Sequence, residues 1–456
     1  MQIVKESCVV RFPPSPTGEI HIGNVRTLLF NYLFARKNHG KIVFRFEDTD
    51  KERSKREYEQ PMLDALSTLG LSWDEGPYRQ SERGEIYKQY LLTLIDKGLA
   101  YEAEENNEGS GKVVRLKNTE RDIQWNDLVK GEIKINTHTF KDEAGNADLI
   151  IARSITDPIY HFTVVVDDYL MGVTHVIRGD DHLTSTPRQI MIIEALGAPI
   201  PAYAHLPTIV GEDKKKLSKR NGTTSLKSFF ELGYLPETMT NYLALLGWNP
   251  GDEREFFSLG ELVEEFSLEK CQVSPAQFDF KKLDHINKFY LDKMSDGEFL
   301  EEVMKSFSVE EAESLRADWD KNEKILLQIV RPRISKFSEA RELAAAGEFF
   351  MFYKDMYEKE RADFAIEKIC FKGQEMNEAQ KNLQGVLERI EDVEERNWNI
   401  EVLKNTLWEW ATTIGRGQVL HPLRTVLSLR DKSPDPFTIM DIIGKVESLR
   451  RLRIFL

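Results

Sequence analysis

Apolar and polar positions change period twice within the first fifty residues. Cys8-Val9-Val10 is a short apolar run that passes into alternation at Arg11 and Phe12, which predicts a strand. From Val25 the apolar residues Val25, Leu28, Leu29, Tyr32 and Leu33 fall on one face of a helix, which is predicted to run to about Asn38 and to stop at His39-Gly40. Lys41-Ile-Val-Phe-Arg-Phe-Glu47 then alternates apolar and charged residues and predicts a second strand. Strand, helix and strand at this spacing make a βαβ unit with a right-handed crossover, hence a parallel sheet. The prolines at 13, 14 and 16 and Gly18 mark the strand-to-helix turn, since residues before proline are held extended and glycine relieves strain. A helix begun this way is expected to offer N–H groups and its positive dipole end to an anion, with His21 and Gly23 at its start. Glu47-Asp-Thr-Asp50 follows at the carboxyl end of the second strand, where open α/β sheets bind ligands.

The pattern continues with a helix over about Lys55–Leu69, closed by Gly70, and another over Tyr87–Lys97. Glu, Asn, Gly and Ser dominate 101–111, and β-like runs follow at Lys112–Leu116, Glu132–Ile135 and Leu149–Ala152, so 99–163 reads as a β-rich insertion. The sheet is expected to resume with strands at Thr163–Asp167 and His175–Arg178, which put Asp167, Asp168, Arg178, Asp180, Asp181 and His182 at strand ends. A helix is predicted over Thr184–Leu196. Lys214–Arg220 carries five basic residues in seven beside Gly211 and Asn221-Gly222, and taken alone it is a solvated basic loop. Beyond Ser225 helical periodicity dominates, and the chain ends in a basic tail, Arg450-Arg451-Leu452-Arg453.

At 456 residues the chain is too long for one core, and about three domains are expected. The first residues are polar and no apolar run nears the roughly 20 residues of a membrane span, so neither a leader nor a membrane is expected. The three cysteines are scattered and suit a reducing cytoplasm. A formal charge of −14 argues only weakly against nucleic acid, because binding depends on a local basic face.

Pro14-Ser-Pro-Thr-Gly18, His21-Ile-Gly-Asn24, Glu47-Asp-Thr-Asp50 and Lys216-Leu-Ser-Lys-Arg220, together and in this order, resemble the bacterial glutamyl-tRNA synthetases. These are class I aminoacyl-tRNA synthetases with HIGH-like and KMSKS-like motifs. Trp73-Asp-Glu-Gly-Pro77, Val176-Ile-Arg-Gly-Asp-Asp-His182, Thr186-Pro-Arg-Gln189 and Gly417-Gln-Val-Leu-His-Pro-Leu-Arg424 extend the resemblance over nearly the whole chain.

The resemblance implies an α/β fold: a class I Rossmann-like parallel-sheet catalytic domain with an inserted β-rich acceptor-binding module, followed by mostly helical stem-contact and anticodon-binding domains. The expected boundaries are 1–98 and 164–213 for the catalytic domain, 99–163 for the insertion, 214–295 for the KLSKR loop and stem contact, and 296–350 and 351–456 for two anticodon-binding modules. It implies ATP-dependent attachment of L-glutamate to tRNA(Glu) through glutamyl-adenylate, by a cytoplasmic monomer. His21, Gly23, Asn24, Lys216 and Lys219 would be catalytic, and Thr17, His21, Gly23, Lys216, Leu217, Ser218, Lys219 and Arg220 would bind ATP. Arg11, Ser15, Glu47, Tyr160 and Arg178 would bind glutamate, with arginines suited to its two carboxylates and Glu47 to its ammonium group. Such activation needs position and charge neutralisation more than covalent help, and Mg²⁺ is expected to travel with the nucleotide. The insertion lacks the cysteines that hold zinc in some relatives, so no zinc is expected.

Three other readings fit less of the sequence. A glutaminyl enzyme would carry Pro-Glu-Pro-Asn-Gly at 14–18 and β-barrels after the catalytic domain. A paralogue that glutamylates a tRNA base would lack the C-terminal modules. A binding-only protein is the alternative from another class, and loss of His21 or of the loop lysines would favour it. A variant that also charges tRNA(Gln) stays open.

Overall fold

Val9–Phe12 and Lys41–Phe46 pair in parallel, Val9 opposite Lys41 and Phe12 opposite Phe44. Glu75–Arg79 adds a third parallel strand outside Lys41–Phe46. On the other side, Thr174 N–H donates to Val9 O at 2.9 Å, which sets His175–Gly179 beside the first strand. Ala202–Leu206 follows in parallel, with His175 opposite Ala202. The strand order therefore reverses at the first strand, and a crevice opens there at the carboxyl ends. The computed structural model describes residues 8–50, 52–104, 112–141, 145–217 and 224–456. They form two compact units, Met1–Asn287 and Lys288–Leu456.

The helix Ile22–Lys37 begins three residues earlier than the apolar spacing predicts. It is buried nearly all round, Arg26, Phe30 and Asn31 included, because the helices Pro236–Leu245 and Leu259–Glu265 cover the side away from the sheet. Its stop divides two tasks between His39 and Gly40. His39 takes the left-handed conformation, with φ of 53°. Gly40 is required because a Cβ there would lie 2.3 Å from Cys8 O.

The inserted region is β-rich as expected but is built from two sheets. Ala100–Glu104, Lys112–Leu116, Leu149–Ser154 and Asp157–Pro158 form one antiparallel sheet. The hairpin Asp122–Asp127 and Gly131–Asn136 instead extends the parallel sheet, through the pair Tyr203–Asp127.

One predicted strand is a helix, so Asp167 and Asp168 do not sit at a strand end. Thr163–Asp167 is not a strand but the middle of a helix, Tyr160–Leu170. Three consecutive valines favour a strand locally, and a short apolar run cannot separate strand from buried helix. Packing decides: Val164, Val165 and Val166 are buried in a cluster with Tyr87, Leu91, Leu94 and Ile190.

The second unit is helical, with no strand among the described residues. Asp296–Lys305 and Val309–Arg316 each begin with a capping box, Ser295 with Glu298 and Ser308 with Glu311. Met376–Ile390, Ile400–Ile414, Arg416–Ser428 and Pro436–Ile454 follow. The basic tail is corrected here, because it is the last turns of a helix with a core arginine. Arg451 is fully buried, stacks 3.7 Å from the Tyr357 ring centroid, and donates to Met351 O and Leu427 O.

Candidate active site

The turn from Phe12 to His21 carries the first strand into the crevice. Glu47 N–H donates to Pro14 O at 3.0 Å and Lys55 N–H to Pro16 O at 2.9 Å, so the end of the second strand pins the turn. Gly18 sits at φ of 150°, where a side chain would be strained. His21 is the N-cap, and its Nδ1 accepts from Gly23 N–H at 3.0 Å. Gly23 suits this cap because a Cβ would stand 3.3 Å from that nitrogen.

The expected free N–H groups at this helix start are occupied. Ile22 N–H donates to Thr224 O (3.0 Å), and the N–H groups of Asn24 and Val25 donate to His21 O (2.9 and 3.1 Å). The chain closes its own helix end, which leaves the dipole and side chains to meet an anion. The same bonds bring Thr224 and Ser225, just beyond the basic loop, onto the helix start. At the other end of the loop, Lys216 bridges to Val210 and its Nζ lies 3.1 Å from Asp181 Oδ2. Burial pushes the Asp181 carboxyl up, but Lys216, His182 and a backbone N–H together hold it below the usual carboxylate range. Leu217 is buried, Thr17 and Asn24 are exposed, and Ser218, Lys219 and Arg220 lie outside the described residues.

Arg11, Glu47, Tyr160 and Arg178 come together at the strand ends, within electrostatic reach of one another. Ser15 is exposed on the turn. Arg11 Nε pairs with Asp168 Oδ2 at 3.3 Å. Burial pushes the Glu47 carboxyl up to about 7, although Arg45 and Arg11 pull the other way. Burial likewise raises the Tyr160 phenol and lowers the Arg178 guanidinium from their ordinary values. Arg178 Nη2 donates to Thr186 Oγ1 at 2.8 Å and Nε to His205 Nε2 at 3.2 Å, while its buried Nη1 has no hydrogen-bond partner. A buried guanidinium nitrogen left unsatisfied beside Tyr160 and Arg11 fits an absent carboxylate.

Arg45, which the sequence reading passed over, organises this cluster. It is fully buried and contacts Asp168 at 2.9 Å, Glu47 at 3.3 Å and Asp167 at 3.6 Å. Asp167 also takes Arg83 at 2.7 Å, Tyr87 at 2.8 Å and Gln80 at 3.0 Å. Asp127, Thr186 and His205 were missed as well. Arg45 and His205 carried a signal, a polar residue between apolar strand neighbours: Arg45 between Phe44 and Phe46, His205 between Ala204 and Leu206.

The anchored ends of a basic loop and a helix start on one side, with two buried arginines and a carboxylate on the other, make a crevice suited to anionic ligands. Residues 7–110 and 103–285 match the family model for the catalytic domain of class I tRNA synthetases (E and Q), and 283–456 match an anticodon binding domain. The glutamate–tRNA ligase of Carboxydothermus hydrogenoformans is 37% identical, over 97% of this chain and 98% of its own. That of Nitrosomonas europaea is 38% identical, over 97% of each. The crystal structure of a glutamate tRNA ligase from Elizabethkingia meningosepticum in complex with its amino acid superposes with a TM-score of 0.79 at 29% identity, covering 99% of both chains. The chain belongs to the glutamate–tRNA ligase family.

Proposed function

We propose that this chain is an ATP-dependent ligase that attaches L-glutamate to tRNA(Glu) for translation, through glutamyl-adenylate, with release of AMP and diphosphate. The observation that carries the glutamate side of this reading is the unsatisfied, buried Nη1 of Arg178 beside Arg11, Tyr160 and Glu47. Arg11 and Arg178 take the two carboxylates, Glu47 takes the ammonium group, and Ser15 and Tyr160 complete the pocket. One carboxylate oxygen attacks the α-phosphorus of ATP, and the bond to the diphosphate leaving group breaks. His21, Gly23, Asn24 and Thr17 form one side of the nucleotide grip and Lys216, Leu217, Ser218, Lys219 and Arg220 the other. The anchoring of both loop ends, at Asp181 and at His21–Ile22, supports this pairing. A ribose hydroxyl at the tRNA terminus then displaces AMP from the adenylate.

Mg²⁺ would be carried on the phosphates of ATP, where it would neutralise charge as the diphosphate leaves. Zinc has no part in this reading. Residues 99–163 hold the acceptor end and 214–295 the stem, while 296–350 and 351–456 hold the anticodon. The enzyme acts as a cytoplasmic monomer, and no described helix is long and apolar enough to cross a membrane. ATP–diphosphate exchange, run with glutamate and with glutamine in the presence and absence of tRNA, tests the assignment. Glutamate-dependent exchange is expected, and its absence under every condition would overturn it. Charging of purified glutamate and glutamine tRNAs then separates the two acceptors.

A further inference from the structure

Behind Arg178 lies a buried polar chain that reaches the inserted hairpin. Asp127, the last residue of the strand Asp122–Asp127, is 2% exposed, and His205 is wholly buried. Asp127 Oδ2 lies 2.5 Å from His205 Nδ1. Its other oxygen accepts from the backbone N–H groups of His205 (3.1 Å), Val129 (3.0 Å) and Lys130 (2.9 Å), so the carboxylate is ionised and fixed. With the ring hydrogen on Nδ1 facing Asp127, His205 Nε2 is an acceptor. Arg178 Nε donates to it at 3.2 Å, and Thr186 Oγ1 lies 3.0 Å away. Two of the three guanidinium nitrogens are thereby committed, and Nη1 is the one left for a ligand.

We propose that Asp127 and His205 form a positioning relay that fixes the Arg178 guanidinium for the substrate carboxylate, so that a strand of the insertion takes part in amino-acid recognition. The relay rests on the reading of Arg178 as a glutamate ligand. Asp127 holds the tautomer of His205, and His205 holds the rotation of Arg178 about its terminal bonds. A buried imidazole between a carboxylate and the residue that does the work is oriented in this way elsewhere in enzymes. Tyr203 completes the support: its ring stacks on His205 at 5.9 Å, and the Arg178 guanidinium lies 5.5 Å over it.

Steady-state charging kinetics on the full chain, with thermal unfolding alongside, test the relay. In Asp127→Asn the amide donates to Nδ1 and moves the ring hydrogen to Nε2, where it opposes the Arg178 N–H. The expected result is a rise of roughly ten- to hundredfold in KM for glutamate, the worth of one hydrogen bond to a charged group. KM for ATP stays within about twofold, as expected when only binding of one substrate is lost. His205→Asn leaves no acceptor at the Nε2 position and behaves the same way. His205→Gln reaches that position with a carbonyl and recovers most of the glutamate affinity. Equal glutamate KM in the Asn and Gln variants of His205, or parallel rises for glutamate and ATP, would overturn the relay. If Asp127→Asn does not fold, the His205 pair decides alone. Arg178→Gln tests the underlying reading separately: if it leaves glutamate KM unchanged, Arg178 is not the ligand. If Arg178→Gln raises that KM while the His205 variants do not, only the relay falls.

Discussion

Replacing Arg45 with methionine should destabilise the catalytic unit in a way that depends on pH. Methionine fills most of the volume and removes the cation that faces three carboxylates at 2.9, 3.3 and 3.6 Å. Asp167 keeps Arg83, and Asp168 keeps Arg11. Glu47 loses its ion-pair partner, and burial already holds it near 7 with Arg45 present. Stranding a buried carboxylate costs about 3–5 kcal/mol. Glu47 can escape that cost by binding a proton, so relative to the parent chain the loss grows by about 1.4 kcal/mol per pH unit above about 7, which at about 2–4 °C per kcal/mol is roughly 3–6 °C at pH 8. The sign with pH follows from a carboxyl pKa that is higher folded than unfolded. Between the unfolded value, near 4, and about 7 Glu47 is protonated in both folded chains and they lose alike; above about 7 the parent's carboxyl ionises beside Arg45 while the variant's stays protonated, and the deficit opens. The deficit relative to the parent chain should therefore be largest at about pH 8 and shrink near pH 5. Differential scanning calorimetry of both chains across that range reads it. A deficit that is the same at both ends, or below about 1 kcal/mol throughout, refutes the argument that Arg45 offsets buried charge.

Glu47 predicts a second pH effect, on substrate binding. In the proposed reading its ionised form takes the ammonium group, so KM for glutamate should climb as pH falls below about 7 and approach about a tenfold rise per unit. Glu47→Gln should flatten that profile, and a variant with the parent's profile would exclude Glu47 as its source. Lys219→Ala should slow adenylate formation by orders of magnitude while changing glutamate binding little, because it meets charge that develops in the transition state. Single-turnover activation at saturating glutamate measures this, and an unchanged rate would remove Lys219 from the mechanism.

Much of the catalytic half was legible because its signals are local. The first βαβ unit, the turn between its parts and the residues at its strand ends follow from period and spacing alone. Arg11, Glu47 and Arg178 were readable as strand-end residues, and their meeting in one crevice follows from parallel topology. The misread helix Tyr160–Leu170 shows where local signals stop: its valines obey the packing of Leu91 and Ile190 and not their own preference. The occupied helix start was hidden for a related reason. Thr224, which caps Ile22, is some two hundred residues away, and no pattern near His21 announces it. Arg45 and His205 were visible only as isolated polar residues in buried strands, and Asp127 as one more polar residue in an alternating strand. Such a residue signals that a partner must exist, but the sequence does not say which.

His21 does more at the helix start than a capping residue needs to. An asparagine there could accept from the Gly23 N–H, as the imidazole Nδ1 does, and the helix would begin equally well. The imidazole has a second ring nitrogen, and because Nδ1 is committed as an acceptor, the neutral ring must carry its hydrogen on Nε2. Folding the helix thus selects one of two tautomers and makes Nε2 the ring's hydrogen-bond donor. A structural requirement of the backbone has settled in advance which of the two ring nitrogens carries the hydrogen.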